Sequence, residues 1–273
     1  MINMNRVGVV IQGPLISEGR TGKSLANSES PSVRYNCHPD VIRNYELCKK
    51  YFSEVVLSTW ESPGLDLIRK EIDPSDILVH ENQEKFESSN SASFRNRNKQ
   101  AFTTLQGLGE LSTRSCGRAL KIRTDMKFSE IALIQAQRKI LSANARSIIV
   151  PFRAASNDTF FQDFYFAGST TDLVELLKST SNKKVIFDSI HEDLFHSRIF
   201  FSYTSGLTKL FPRRALVYPL RNSSKISSWY SNRAWNNFLE LFPRAMWESA
   251  TWRGESLNQS QYLRDKIFGD SKL

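Results

Sequence analysis

Asp125 closes the run "ALKIRTD" (Ala119 to Asp125) and is the sharpest chemical signal in the chain. A carboxylate at the end of an apolar strand is poised to hold Mg²⁺ or Mn²⁺. Such ions take one or two protein carboxylates and complete their shells with substrate phosphates and water. Lys121 and Arg123 lie at alternate positions before it. A regular strand turns all three side chains to one side, facing a diphosphate. The competing reading of Asp125 is a helix cap or a surface turn. A second stretch, "VGVVIQGPLISEGRTGKS" (Val7 to Ser24), ends like a phosphate-binding P-loop. That loop needs a glycine five residues before the Gly-Lys-Ser and a helix directly after it, so that backbone amides wrap the anion. Ser17 holds the required glycine position, Gly13 is too far upstream, and "LANSESPSVRYN" is polar and broken by Pro31. Lys23 therefore reads as a solvated loop lysine. His191 and His196 are spaced wrongly for a zinc pair on one helix face. Cys37, Cys48 and Cys116 show no metal-ligand spacing and read as reduced thiols.

The elements that must position these residues alternate along the first half. "VGVVIQ" reads as a first strand, His38 to Phe52 as a helix with Pro39 near its start, and "EVVLSTW" as a second strand. A short helix "LDLIRKEI", a third strand "DILVHE" and a helix running at least from Arg97 to Leu108 follow. Next come a strand over Arg118 to Phe128, the amphipathic helix "EIALIQAQRKIL", and the strands "SIIVPF" and "DFYFAGS". "TTDLVELLKS" is helical behind a threonine cap. This rhythm argues for a parallel sheet with helices on both faces. Ligands of such sheets bind beyond the carboxyl ends of the strands. There the sequence leaves Gln12-Gly13-Pro14, Ser58-Thr59-Trp60-Glu61, His80-Glu81-Asn82 and Arg123-Thr124-Asp125. No dinucleotide glycine fingerprint follows the first strand, but a Gly-Pro turn lets a nucleobase or ribose approach the backbone.

At 273 residues, 40% of them hydrophobic and 24% charged, the chain is ordinary for a globular protein with a sizeable core. No apolar run approaches the ~20 residues that span a bilayer. The N-terminus lacks the charged start, apolar stretch and cleavage site of a signal peptide, so the cytoplasm is the expected compartment. The net charge of +9 is uneven: residues 209–273 carry 11 Lys/Arg against 5 Asp/Glu, with Trp229, Trp235, Trp247 and Trp252. Such a tail suits an anionic surface of lipid headgroups, phosphorylated glycan or nucleic acid. It equally suits a solvated basic face over an aromatic core.

The ordered set "VVIQGP", "VVLSTWE", "NRNKQAFTTLQGL", "ALKIRTDMKF" and "DFYFAGSTTDLVELL" resembles the WavE lipopolysaccharide-synthesis family of bacterial glycosyltransferases over residues 7 to 205. The resemblance implies an α/β, GT-A-like (Rossmann-like) fold with a mostly parallel central sheet flanked by helices. The expected catalytic domain is 1–208, with an irregular helical, basic and aromatic extension over 209–273 packed on it. It further implies hexosyltransferase-like activity on a nucleotide-sugar donor, inverting and metal-assisted. The acceptor would be a lipid-linked or core oligosaccharide or a related surface glycan, and no nucleic acid is expected. The basic tail would hold the enzyme at the inner face of the anionic inner membrane. "RTD" is similar to the aspartate motif under a donor diphosphate, with Arg123 in place of its first acid and Asp125 as the Mg²⁺ or Mn²⁺ ligand. Arg97 and Asn98 are similar to positions on a helix covering the donor. "HED" resembles the acid pair carrying a general base, so Glu192, then Asp193, is expected to take the acceptor's proton. Gln12, Gly13, Pro14 and Thr59 fall at the donor end, and Asp163 suits sugar hydroxyls. Two rivals stay open at this level: a nucleotidyltransferase of sugar activation, which needs a Gly/Arg-rich loop after the first strand, and a non-catalytic anionic-glycan or nucleic-acid binder.

Overall fold

The computed structural model describes residues 3–19, 32–81, 92–152, 164–181, 236 and 239–259. Within these, the side chains of 92–98, 175, 176 and 178–181 are excepted. Strand β1 (Asn3–Gln12) is buried over its last six residues, which suits a central strand covered on both faces. A hairpin of β2 (Ile16–Gly19) and β3 (Val33–Asn36) leads to α1 (His38–Tyr51). Helix α1 opens with Pro39 and Asp40 and ends on Lys49 and Lys50, charges that match its dipole. β4 (Glu54–Trp60), α2 (Leu65–Glu71) and β5 (Ile77–His80) follow. Helix α3 (Ala92–Thr113) leads into β6 (Cys116–Arg123), and the short β7 (Met126–Lys127) precedes α4 (Glu130–Ser142). β8 (Ile148–Val150), β9 (Tyr165–Ser169) and α5 (Thr170–Ser181) come next. Near the C-terminus lie β10 (Leu239–Leu241), α6 (Arg244–Glu248), β11 (Thr251–Trp252) and β12 (Glu255–Ser256).

Seven of these strands form one sheet in the order β10-β8-β9-β6-β1-β4-β5. Every neighbouring pair is parallel except those of β9, which runs antiparallel to both β6 and β8. This is the mixed α/β, mostly parallel sheet flanked by helices that the element rhythm requires. Alternation assigns the two faces. Val10, Val56 and Ala119 pack with Ala101, Leu108 and Leu111 of α3 and Leu173 and Leu177 of α5. Val9, Val55, Leu57 and Leu120 pack instead with α1, α2, α4 and α6. Gly107 lets α3 lie hard against β1, because a Cβ there would stand 2.5 Å from a methyl of Val10.

Two expectations need correction. The strand read as Arg118 to Phe128 breaks at Thr124-Asp125, where the chain turns into β7. The cap of α5 is Ser169, whose Oγ accepts from the Asp172 amide at 3.4 Å, one residue ahead of the expected threonine. The described residues after 208 pack on the sheet and its helices. Leu239–Leu241 adds a parallel strand to β8, and Trp247 and Trp252 are buried in the same core as α1 and α4. For these two tryptophans the aromatic-core reading holds; Trp229 and Trp235 lie outside the described residues.

Candidate active site

The chain order puts the topological switch between β1 and its neighbours at the carboxyl end of the sheet, where an open α/β fold binds its ligands. Three strand ends are stitched together there. The Gly13 amide donates to Ser58 O at 3.2 Å, and the Thr124 amide donates to Gln12 O at 3.0 Å. Thr124 Oγ1 donates to Pro14 O at 2.8 Å. Gly13 has φ 138°, and a Cβ on it would lie 2.4 Å from Thr124 Oγ1, so only glycine fits this turn. Pro14 is exposed at its tip.

On the α3 side a polar chain fixes the helix to the sheet. Gln12 Nε2 donates to Thr103 Oγ1 at 2.9 Å, and that hydroxyl donates to Lys99 O at 2.9 Å. Ser58 Oγ donates to Thr103 O at 2.7 Å and lies 2.8 Å from His80 Nε2. A hydroxyl that spends its proton on a carbonyl must accept from the ring, so Nε2 carries the hydrogen of a neutral His80. Burial lowers the His80 pKa, consistent with that form. Trp60 and Phe102 flank the imidazole, with ring centroids 5.7 and 5.3 Å away. With its amide nitrogen committed, Gln12 presents Oε1 as an acceptor, and this buried atom has no partner. Thr59 Oγ1, fully buried at the end of β4 on the opposite face, has none either. Buried atoms of Ser62, Arg118, Tyr165, Thr170 and Trp247 also lack a partner, so it is the place of Gln12 and Thr59 at the carboxyl ends of the strands, rather than the missing partner by itself, that points to a ligand.

Asp125 is 2% exposed and is the hub of a charged knot. Arg123 reaches it with Nε to Oδ1 and Nη2 to Oδ2, both at 2.8 Å. Oδ2 also accepts from Ser17 Oγ at 2.9 Å, Trp252 Nε1 at 3.1 Å and Arg253 Nε at 3.1 Å. The Arg253 amide donates to Asp125 O at 2.8 Å, continuing the β7–β11 pairing. Burial by itself would raise the Asp125 carboxyl. The charge and hydrogen bonds of Arg123, the charge of Arg253 and the Ser17 hydroxyl overcome it and hold the carboxyl well below the usual range. The Arg253 pKa is lowered as well, despite its carboxylate partner, because burial comes first and Arg123 repels it. Cys37, beside the knot, is pushed up to about 12 by burial and by the Asp125 charge, so it is a thiol rather than a nucleophile.

The Mg²⁺ or Mn²⁺ expected at Asp125 would meet a carboxylate whose oxygens accept five donor contacts, two of the donors being guanidinium groups that it would have to displace. Among the described residues no group of three or more His, Cys, Asp or Glu side chains is placed to hold a metal. Lys121 also departs from expectation: it is 1% exposed, with Nζ 5.4 Å above the Phe166 ring, and lies in the core rather than at the crevice.

The structure thus gathers Gln12, Gly13, Pro14, Thr59, Arg123 and Asp125 at one end of the sheet. Arg97 and Asn98 lie on α3, with side chains outside the described residues, as do Asp163, Glu192 and Asp193 altogether. Ser17, where a P-loop would need glycine, sits on β2 with its hydroxyl on Asp125. Sequence reasoning placed His80 at this end of the fold, at the close of a strand, but missed Ser17, Thr103, Trp252 and Arg253 as members of it. All three cysteines are buried and free. Among the described residues no helix is long and apolar enough to cross a membrane.

No family model and no curated protein matches the chain by sequence. Among solved structures it is similar to 4-diphosphocytidyl-2C-methyl-D-erythritol synthase of Anaerococcus prevotii, at 10% identity and TM-score 0.39 over 70% of this chain and 80% of that one. It is similar to a nucleoside-diphosphate-sugar pyrophosphorylase of Vibrio cholerae, at 10% identity and TM-score 0.39, over 94% and 99%. It is also similar to glucosyl-3-phosphoglycerate synthase of Mycobacterium tuberculosis in complex with Mg²⁺ and UDP, at 9% identity and TM-score 0.35, covering 61% of this chain and 57% of that one. Likenesses this distant leave the strand order and the site geometry to carry the reading.

Proposed function

We propose that this protein is a glycosyltransferase of GT-A-like fold that moves a sugar from a nucleotide-sugar donor to a surface-glycan acceptor. The observation that carries the reading is the buried, unpartnered Gln12 Oε1 next to the Gly13-Pro14 turn at the carboxyl end of β1; Thr59 Oγ1, unpartnered on the opposite face of the adjacent strand, is a second candidate contact. A nucleoside offers N–H and O–H groups for such atoms, and the bare turn admits its ribose close to the backbone. Ligand binding there recovers the cost of leaving such atoms unpaired.

In this scheme the diphosphate lies toward β6, where Arg123 ends the strand beside Gln12. Sugar–phosphate cleavage develops positive charge on the sugar and negative charge on the departing diphosphate, and fixed cations stabilise the latter. Glu192, or after it Asp193, takes the proton of the attacking acceptor hydroxyl, with inversion at the sugar carbon. Arg97 and Asn98 cover the donor, and Asp163 holds sugar hydroxyls. The resemblance to the WavE family points to lipopolysaccharide core or a related surface glycan as acceptor, met at the inner face of the inner membrane through the basic segment after Lys209.

A thermal-shift screen of nucleotide sugars tests the reading, since a ligand of the native state raises its melting temperature. At least one donor should do so, and Thr59→Val should reduce the shift. Should no nucleotide sugar protect the native chain, the proposal fails.

A further inference from the structure

We infer that Thr103 is a positioning residue that fixes the Gln12 carboxamide as a one-way acceptor, so that the site selects its nucleoside by the hydrogen-bond donor it presents there. This deepens the nucleotide-sugar reading above and rests on it for the identity of the ligand; the polarity of the contact rests on geometry.

The arrangement follows from the spacing of two elements. A strand advances about 6.6 Å in two residues and a helix about 6 Å in four, so alternate positions of β1 meet successive turns of α3. Gly8 meets Leu111, Val10 meets Gly107, and Gln12 meets Thr103. A Cβ on Gly8 would lie 2.6 Å from a Leu111 methyl, and one on Gly107 would lie 2.5 Å from a Val10 methyl. Glycine at both places brings helix and strand close enough for Thr103 to reach Gln12.

Thr103 is fully buried and held at both its polar groups. Its carbonyl accepts from Ser58 Oγ at 2.7 Å, and Ser58 accepts in turn from His80. Its hydroxyl has one proton, directed at the helix carbonyls of Lys99 and Gln100, 2.9 and 3.3 Å away. Toward Gln12 the hydroxyl oxygen therefore only accepts, so it is the amide nitrogen that meets it and Oε1 that faces away. A glutamine free to turn offers a donor and an acceptor together, whereas this one offers the acceptor alone. Gln12 is 2% exposed, and Oε1 stands at the carboxyl end of β1, where open α/β sheets bind their ligands. A ring N–H, as in uracil or guanine, or a ribose hydroxyl completes such an acceptor. A ring lone pair, as in cytosine or adenine, or a deoxyribose leaves it unpaired.

Isothermal titration of the full chain with UDP, CDP, GDP, ADP, 2′-deoxy-UDP and 2′-deoxy-GDP tests this. UDP over CDP and GDP over ADP report a donor on the base, and each ribose form over its deoxy counterpart reports a donor on the sugar. One of these ratios should reach about tenfold or more, the effect of leaving a buried polar atom unpaired. Gln12→Leu should erase that ratio. Thr103→Val, which lets the carboxamide turn, should lower it, and Thr103→Ser, which keeps the hydroxyl, should retain it. Circular dichroism confirms folding, and Thr103→Ala replaces the valine variant should that one not fold. A threonine with a structural role alone would shift the melting temperature and leave the ratio where it was. Ratios near one in the wild type, or a ratio that survives Gln12→Leu or the loss of the Thr103 hydroxyl, overturn the inference; the nucleotides still bind in those cases, and the proposed function stands. Binding of none of the six nucleotides removes both.

Discussion

Asp125→Asn separates a structural carboxylate from a metal ligand by stability alone. Asparagine keeps the shape but presents an NH₂ to guanidinium, indole and hydroxyl donors. Arg253 and Arg123, with side chains 8% and 14% exposed, would lose the buried carboxylate that compensates them. Breaking such a pair by removing one partner costs about 3–5 kcal/mol. At roughly 2 °C per kcal/mol for a chain of this size, the melting temperature in EDTA should fall by about 6–10 °C. A carboxylate waiting for a cation makes the opposite prediction, since removing its charge without metal should leave the apo protein as stable or more so. The pH dependence has a fixed sign. The folded carboxyl lies below its unfolded value of about 3.9, so its stabilisation is complete above that pH and is lost as pH falls toward the folded value. The gap between wild type and variant should therefore narrow from about pH 4 downward. Combining Asp125→Asn with Arg253→Met should cost less than the sum of the single changes, because the stranded cation is gone. Differential scanning fluorimetry in EDTA across pH 3–7 reads all of this. A variant melting within about 1 °C of wild type at neutral pH would refute the knot as a structural element.

Thr59→Val should stabilise the apo protein by about 1 kcal/mol, since a shape-matched methyl replaces an unpaired buried hydroxyl, while weakening nucleotide-sugar protection; calorimetry on the same samples reads both signs. Gly13→Ala should cost about 1–3 kcal/mol, seen as a lower urea midpoint at unchanged slope, because φ 138° and the Thr124 hydroxyl leave no room for a Cβ. The lowered His80 pKa means a stabilisation present above its unfolded value near 6.5 and lost as pH falls through the folded one. His80→Gln, which keeps a donor for Ser58, should flatten stability across that window, and an unchanged slope would show that another group titrates there.

Much of the fold is legible in the chain because the relevant physics is local. Val7 to Ile11 and Val55 to Leu57 are apolar runs that suit a covered strand, and Ala119 to Ile122 is apolar apart from Lys121. Helices α1 and α2 between them carry end charges that match their dipoles. Position at a strand end likewise marked Gln12, Gly13, Thr59, Arg123 and Asp125. Tertiary structure alone decided what the Asp125 carboxylate does. Its fate depends on which donors reach its lone pairs, and these come from Ser17, 108 residues away, and from Trp252 and Arg253, 127 and 128 away. Composition left the tail's tryptophans equally suited to membrane or core, since an indole buries well against either. For Trp247 and Trp252 the choice fell to the strand that β10 adds to the sheet and the hairpin that β11 lays beside β7. A buried charge is defined by its partners, and folding alone brings partners so distant in sequence into contact.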